Sequence, residues 1–120
     1  NVNGGLTFNN DTVSSPYSHR TSENGVTDTT TINQPNIPTM NLSSATDHFH
    51  VGYIANYSTK EKLLIEHGVK QNTAGAGTAP ERTEFVGKWT NTSSQITNVA
   101  FNSTVGGYAS GSILKVWGSD

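Results

Sequence analysis

The sequence predicts an all-β fold, an antiparallel jelly-roll-like β-sandwich of about seven or eight short strands, from three observations. Ser, Thr and Asn fill more than a third of the chain, with 13, 17 and 13 residues respectively. Asn suits the interior of neither helix nor strand and Thr prefers strands, so such a surface belongs to brief strands joined by polar turns. Apolar residues recur at period two in stretches bounded by Gly, Pro, Asn and Ser, and no stretch of useful length carries the helical period. Finally, the chain is only 32% hydrophobic, so its ten aromatic residues must supply much of a thin core. At 120 residues it reads as one domain, residues 1–120, able to bury about two-thirds of its unfolded surface.

The elements follow in order. Leu6 and Phe8 alternate in residues 5–9, and Asn9-Asn10-Asp11-Thr12 makes a turn. Tyr17 and His19 alternate next. Residues 21–38 are polar and contain Pro35 and Pro38, which argues against a central strand and predicts a loop. In residues 48–58 the odd positions Phe49, Val51, Tyr53, Ala55 and Tyr57 are apolar, and in residues 62–70 so are the odd positions Leu63, Ile65 and Val69. A three-residue loop of Thr59, Lys60 and Glu61 puts both sets on one face, pairing Tyr57 with Leu63, Ala55 with Ile65 and Val51 with Val69. That shared face is the expected core face. Residues 72–80 read as a flexible loop, and strands are expected at 82–89, 95–102 and 111–117, the last two separated by a loop over 103–110.

Composition excludes several classes. A formal charge of −2 provides no basic patch for a phosphate backbone, so no nucleic-acid partner is expected. The longest apolar run is three residues, as in Leu63-Leu64-Ile65, against the ~20 that a spanning helix needs. No membrane insertion is expected. Zero Cys removes disulfide and thiolate chemistry and fits synthesis in a reducing cytoplasm. The chain opens Asn1-Val2-Asn3 without Met, the expected mark of processing or truncation.

No catalytic constellation emerges. The nine carboxylates are scattered without a pairing motif, Gly107-Tyr108-Ala109-Ser110-Gly111 puts its Ser one position late for a nucleophile elbow, and Gly75-Ala76-Gly77 lacks a following helix. His48 and His50 share one strand face at a spacing that suits Zn or Ni, but the register above sends the third candidate, His67, to the opposite face near Tyr53. Asn9-Asn10-Asp11 offers oxygens to Ca²⁺, although Asx-turn chemistry accounts for it without a metal. No metal or cofactor is therefore expected. Five N-x-S/T sequons occur, at Asn10, Asn41, Asn56, Asn91 and Asn102, as so much Asn, Ser and Thr produces by chance. Ligand-binding candidates are the aromatics near turns and termini, Tyr17, Tyr108 and Trp117, whose rings suit stacking on a sugar face. Core packing or subunit contact is the competing role, the expected one for Tyr17 and Trp117.

Four segments in order carry a resemblance. Leu6-Thr7-Phe8-Asn9-Asn10-Asp11-Thr12 with Tyr17-Ser18 resembles a strand–F-N-G-D-T–x–Y-S segment, and Ala55-Asn56-Tyr57-Ser58-Thr59-Lys60-Glu61-Lys62 resembles a hairpin. Gly87-Lys88-Trp89-Thr90-Asn91-Thr92 resembles G-R-W-x-N-T, and Tyr108-Ala109-Ser110-Gly111-Ser112 through Val116-Trp117-Gly118 resembles a closing strand. Together they resemble small β-sandwich domains of tailed-bacteriophage virion surface proteins, of tail-fibre or capsid-decoration type. Asn10 stands where that family has Gly, and the strands preceding its first turn are missing. The resemblance implies a non-enzymatic structural protein of the virion, made in the host cytoplasm and acting in particle assembly and host attachment. Its implied partners are like subunits in a homo-oligomer such as a trimer, other virion proteins and a host-surface glycan. A lectin-like carbohydrate-binding module is the alternative.

Overall fold

The computed structural model of the chain describes residues 2–42, 47–71, 73–103 and 108–118, and these form eight β-strands and no helix. They are β1 (Val2–Phe8), β2 (Tyr17–Glu23), β3 (Thr29–Gln34), β4 (Ile37–Leu42), β5 (His48–Ala55), β6 (Lys62–Lys70), β7 (Glu81–Trp89) and β8 (Val99–Ser103). Two antiparallel sheets result, of order β4-β1-β8 and β3-β2-β7-β6-β5. The first strand pairs with the last and the second with the seventh, the nesting of a jelly roll, while β3 and β4 fold back as edges. The expected all-β sandwich is the fold observed.

The turn after β1 is set by its amides. Asn9 and Asn10 have φ of 52° and 56°, and the Asp11 N–H donates to the Phe8 carbonyl at 2.9 Å, a tight turn with both central residues left-handed. Asn tolerates that region better than other side-chain-bearing residues, so Asn10 can stand where Gly would be usual.

Between the sheets lie Leu6 and Phe8 of β1, Ile37 of β4, Tyr17 of β2, Leu64 of β6, and Phe85 and Trp89 of β7, all buried, with Ile96, Val99 and Phe101 packed against them. The Phe8 ring meets Tyr17 at 6.1 Å and Trp89 at 5.9 Å between centroids, both tilted, the arrangement that ring quadrupoles favour. The polar tips of Tyr17 and Trp89 find partners inside. The Phe8 N–H donates to the Tyr17 hydroxyl at 2.8 Å, and that hydroxyl donates back to the Phe8 carbonyl at 3.3 Å. Trp89 Nε1 donates to Asp11 Oδ2 at 2.8 Å. The sheets approach closely at Gly87, where a Cβ would sit 2.8 Å from the Phe85 ring and 3.5 Å from Ile37 Cδ1.

Four sequence expectations need correction. Residues 21–38 are no loop throughout: they include β3 and the start of β4. Both are edge strands, where one side is free of ladder bonds, so a Thr-rich strand and the missing N–H of Pro38 are tolerated. The β5–β6 register is shifted by two residues, pairing Ala55 with Leu63, Tyr53 with Ile65 and Phe49 with Val69, which lengthens the hairpin loop. The shift preserves parity, so the odd apolar sets share a face, but that face points away from the second sheet. Residues 111–117, expected as a strand, are in no sheet. The expected strand over 95–102 shortens to β8, and the loop expected over 103–110 falls partly on 104–107, outside the described residues.

Candidate functional site

The two faces of the five-stranded sheet follow from its register. Facing the core in β6 are Lys62, Leu64, Glu66, Gly68 and Lys70, and facing outward are Leu63, Ile65, His67 and Val69. The outward side chains form rows across β5, β6 and β7: Ala55–Leu63–Lys88, Tyr53–Ile65–Val86, Val51–His67–Glu84 and Phe49–Val69–Arg82. Tyr53 is 73% exposed and Phe49 67%, with Leu63, Ile65 and Val86 about half exposed. An aromatic side chain offers ~150–250 Å², so these two rings leave roughly 250 Å² in water before any aliphatic is counted. The patch reaches the size at which exposed apolar surface marks an interaction site.

The patch is lopsided. Its apolar part lies on β5 and β6, and charge increases across β7 towards β2. Arg20 of β2 pairs with Asp28 at 3.5 Å, Arg82 with Glu84 at 3.8 Å, and Lys88 with Glu61 at 2.9 Å. Between the two parts runs an open groove of about 380 Å³ whose lining includes Arg20, Asp28, Ile65, His67, Glu84 and Val86. A second open cleft, about 340 Å³, lies where Phe49 and Val69 meet the 71–80 loop at Thr78 and Pro80.

The inner face near β5 is polar and internally paired. His48 and His50 stack at 5.9 Å, His50 Nδ1 lies 3.1 Å from Glu66 Oε1 without hydrogen-bond alignment, and Lys70 pairs with Glu81. His67 lies on the opposite face, as the sequence places it, but beside Val51 rather than Tyr53. Among the described residues no group of three His, Asp or Glu side chains could hold a metal ion.

The sequence-predicted binding residues separate. Tyr17 is buried, with its hydroxyl committed to the Phe8 backbone, so its ring cannot stack on a ligand. Core packing, its competing role, is the observed one. Tyr108 is 41% exposed and Trp117 81%, both outside any strand. The Asn9-Asn10-Asp11 loop is occupied by the chain itself. Asn9 Oδ1 accepts from the Thr97 and Asn98 N–H groups at 2.9 and 3.0 Å, and its Nδ2 donates to the Gln95 carbonyl at 2.8 Å. Asp11 Oδ1 accepts from the Val13 N–H at 3.2 Å, the expected Asx turn. Asn56 pairs with both backbone groups of Ile96, and Asn91 Oδ1 caps Ser93 and Ser94. Asn56 thus ties the loop after β5 to the loop before β8, and Asn91 braces its own loop.

Sequence reasoning missed Lys62, whose exposure is 0%. Its ammonium donates to the carbonyls of Lys60 and Asn91 at 2.9 and 2.8 Å and lies 5.5 Å over the Trp89 ring. A signal was present: Lys62, Glu66 and Lys70 share the even parity of Leu64, so the charged set and the buried Leu lie on one face. Comparison with protein-family models, with curated proteins and with solved structures finds no match for this chain.

Proposed function

We propose that this chain is a non-enzymatic assembly subunit on a particle surface, a virion structural protein of tail-fibre or capsid-decoration type. It works by burying the outer face of its five-stranded sheet against like subunits. The observation that carries this reading is the Tyr53–Ile65–Val86 row with its apolar neighbours, left in water by a chain whose own core lies on the opposite side. The neutral Ser-, Thr- and Asn-rich loops suit the solvent side of such a particle, and the ordered resemblance of residues 6–118 supplies its bacteriophage setting. Several of the described acidic groups engage the chain's own donors and cations, as Asp11 does with Trp89 and Glu61 with Lys88, which favours scaffolding over catalysis.

Light scattering on the purified chain should find a defined oligomer, which Ile65→Lys reduces to a folded monomer. A wild-type monomer at every concentration up to the solubility limit would count against the reading. Antibody against the chain should decorate intact particles in electron micrographs. The exposure of Tyr108 and Trp117 favours a second reading, a lectin-like module for a host-surface glycan. Glycan-array binding by the monomer, lost in Tyr108→Ala or Trp117→Ala, would support it instead.

A further inference from the structure

Among the described residues, two features lack partners. One is the edge of β5: among the described residues the strand pairs with β6 on one side only, so the N–H and C=O groups of the other side, from Phe49 to Ala55, face no described strand. The other is the segment Ser112-Ile113-Leu114-Lys115-Val116-Trp117. It is rich in strand-forming residues, yet Ile113 is 80% exposed, Leu114 and Val116 are more than half exposed, and Trp117 lies in water. Beyond the Ser112 N–H bond to the Ala109 carbonyl, no backbone hydrogen bond joins 113–117 to the described chain.

We infer that residues 112–117 of one copy add as a strand to the β5 edge of a second copy, extending that sheet and its apolar outer face. The inference rests on the assembly reading above and names the partner and the element it contributes. Side-chain parity supports the match. Ile113 and Trp117 are four residues apart and share a strand face, as do Phe49 and Tyr53. Added in either direction, the segment can set Ile113 and Trp117 beside those rings, the aromatic–aliphatic cross-strand pairs that stabilise sheets. Leu114 and Val116 then turn to the inner face, where Ile54 of β5 is itself exposed. The other edges fit less well. β3 is Thr29–Gln34 with Ile32 its only apolar residue, β4 carries Pro38, and β8 is five residues long against eight for β5. The partner is a second copy because the segment stands free of its own β5 edge, leaving both unmet in each chain. Exchange satisfies both without a new sequence.

The test uses the full chain and Ile113→Lys/Trp117→Lys, both at positions so exposed that folding is unaffected. Oligomer mass is followed by light scattering and Trp117 by its emission, with Trp117→Phe providing the constant signal of buried Trp89. The expected result is an oligomer whose Trp117 emission shifts to the blue as concentration rises, and a monomer for the double variant. An oligomer that survives the double variant but falls apart in Ile65→Lys overturns strand addition and leaves the assembly reading standing. A chain monomeric at all concentrations, with Trp117 emission at the solvent position, overturns both. A monomer with blue-shifted Trp117 means the segment lies on its own chain and likewise overturns the exchange.

Discussion

The inner and outer faces of β6 come from one nine-residue strand, and the more apolar face is the outer one. Leu63, Ile65 and Val69 point to solvent, while Lys62, Glu66 and Lys70 share the core side with Leu64. Hydrophobic alternation fixes which residues lie together, but which side meets the second sheet depends on what that sheet brings. Here it brings Leu6, Phe8 and Ile37 over β7 and β2, so closure falls on Trp89, Phe85, Tyr17 and the single leucine Leu64. The two lysines of the inner face are held because each has a partner: carbonyls and a ring for Lys62, and Glu81 for Lys70. A buried charge is tolerated only when so paired. A face that remains apolar after the core is complete is available to other molecules.

The sharpest way to break that contrast is to truncate matched residues on the two sides. Trp89→Ala should destabilise the fold by about 3–5 kcal/mol, since it empties the centre of the ring cluster and strands Asp11 and Lys62. Urea denaturation measures it, and a loss under ~1 kcal/mol would mean the core lies elsewhere. Lys62→Ala comes next. It leaves the Lys60 and Asn91 carbonyls without their donor, at about 1–3 kcal/mol. An unchanged urea midpoint would show that water or a neighbour satisfies them.

Asn9→Ala should cost about 1–2 kcal/mol, since its side chain ties the first turn to residues 95–98 and its φ is 52°. Asn9→Gly separates the two causes: it relieves the backbone but not the lost bonds, so it should recover only part of the loss.

These residues also show how far the sequence was legible. The all-β class, the turn at Asn9–Asn10, and strands β1, β2, β5, β6 and β7 follow from alternation and turn chemistry. The edges β3 and β4 do not, because β3 is polar but for Ile32 and an edge strand such as β4 admits Pro38 beside the core residue Ile37. The β5–β6 register was legible only in parity: pairings that differ by two residues bury the same faces, and the loop at 56–61 decides between them. Tyr17, near a turn, reads as a packing or subunit-contact residue with sugar stacking as its competitor, and its hydroxyl's return to the Phe8 backbone shows how its polar tip is buried. The segment 111–117 has the composition of a strand, but composition cannot supply a partner.

His19 gives a smaller, pH-dependent difference between the faces. Its ring is buried on the inner side, stacked on Phe85 at 5.2 Å with Nδ1 unpartnered, and burial pushes its pKa below the ordinary value near 6.5. The unfolded chain takes up the proton near pH 6.5 and the native chain resists it. The stability from neutral His19 is therefore complete above that pH and is lost as pH falls through it towards the lowered native value. Urea midpoints between about pH 8 and pH 5 should decline less steeply in His19→Leu than in the wild type. Equal slopes would mean that the buried ring titrates as it does in the unfolded chain.

The smallest effect on stability is expected where the outer face is most apolar. Ile65→Lys replaces a side chain already half in water, between Tyr53 and Val86, and should change the unfolding free energy of the monomer by no more than ~0.5 kcal/mol. An outward lysine keeps its ammonium hydrated and lays its methylenes along the neighbours, so the isolated sheet loses little. In an assembled sheet face the same ammonium must be stripped of water, and no acidic residue shares its row to receive it. A variant equal to the wild type in urea but unable to associate would locate this chain's interaction energy on the face its own core leaves open. A fall in monomer stability of several kcal/mol would instead show that the face is already packed within the single chain.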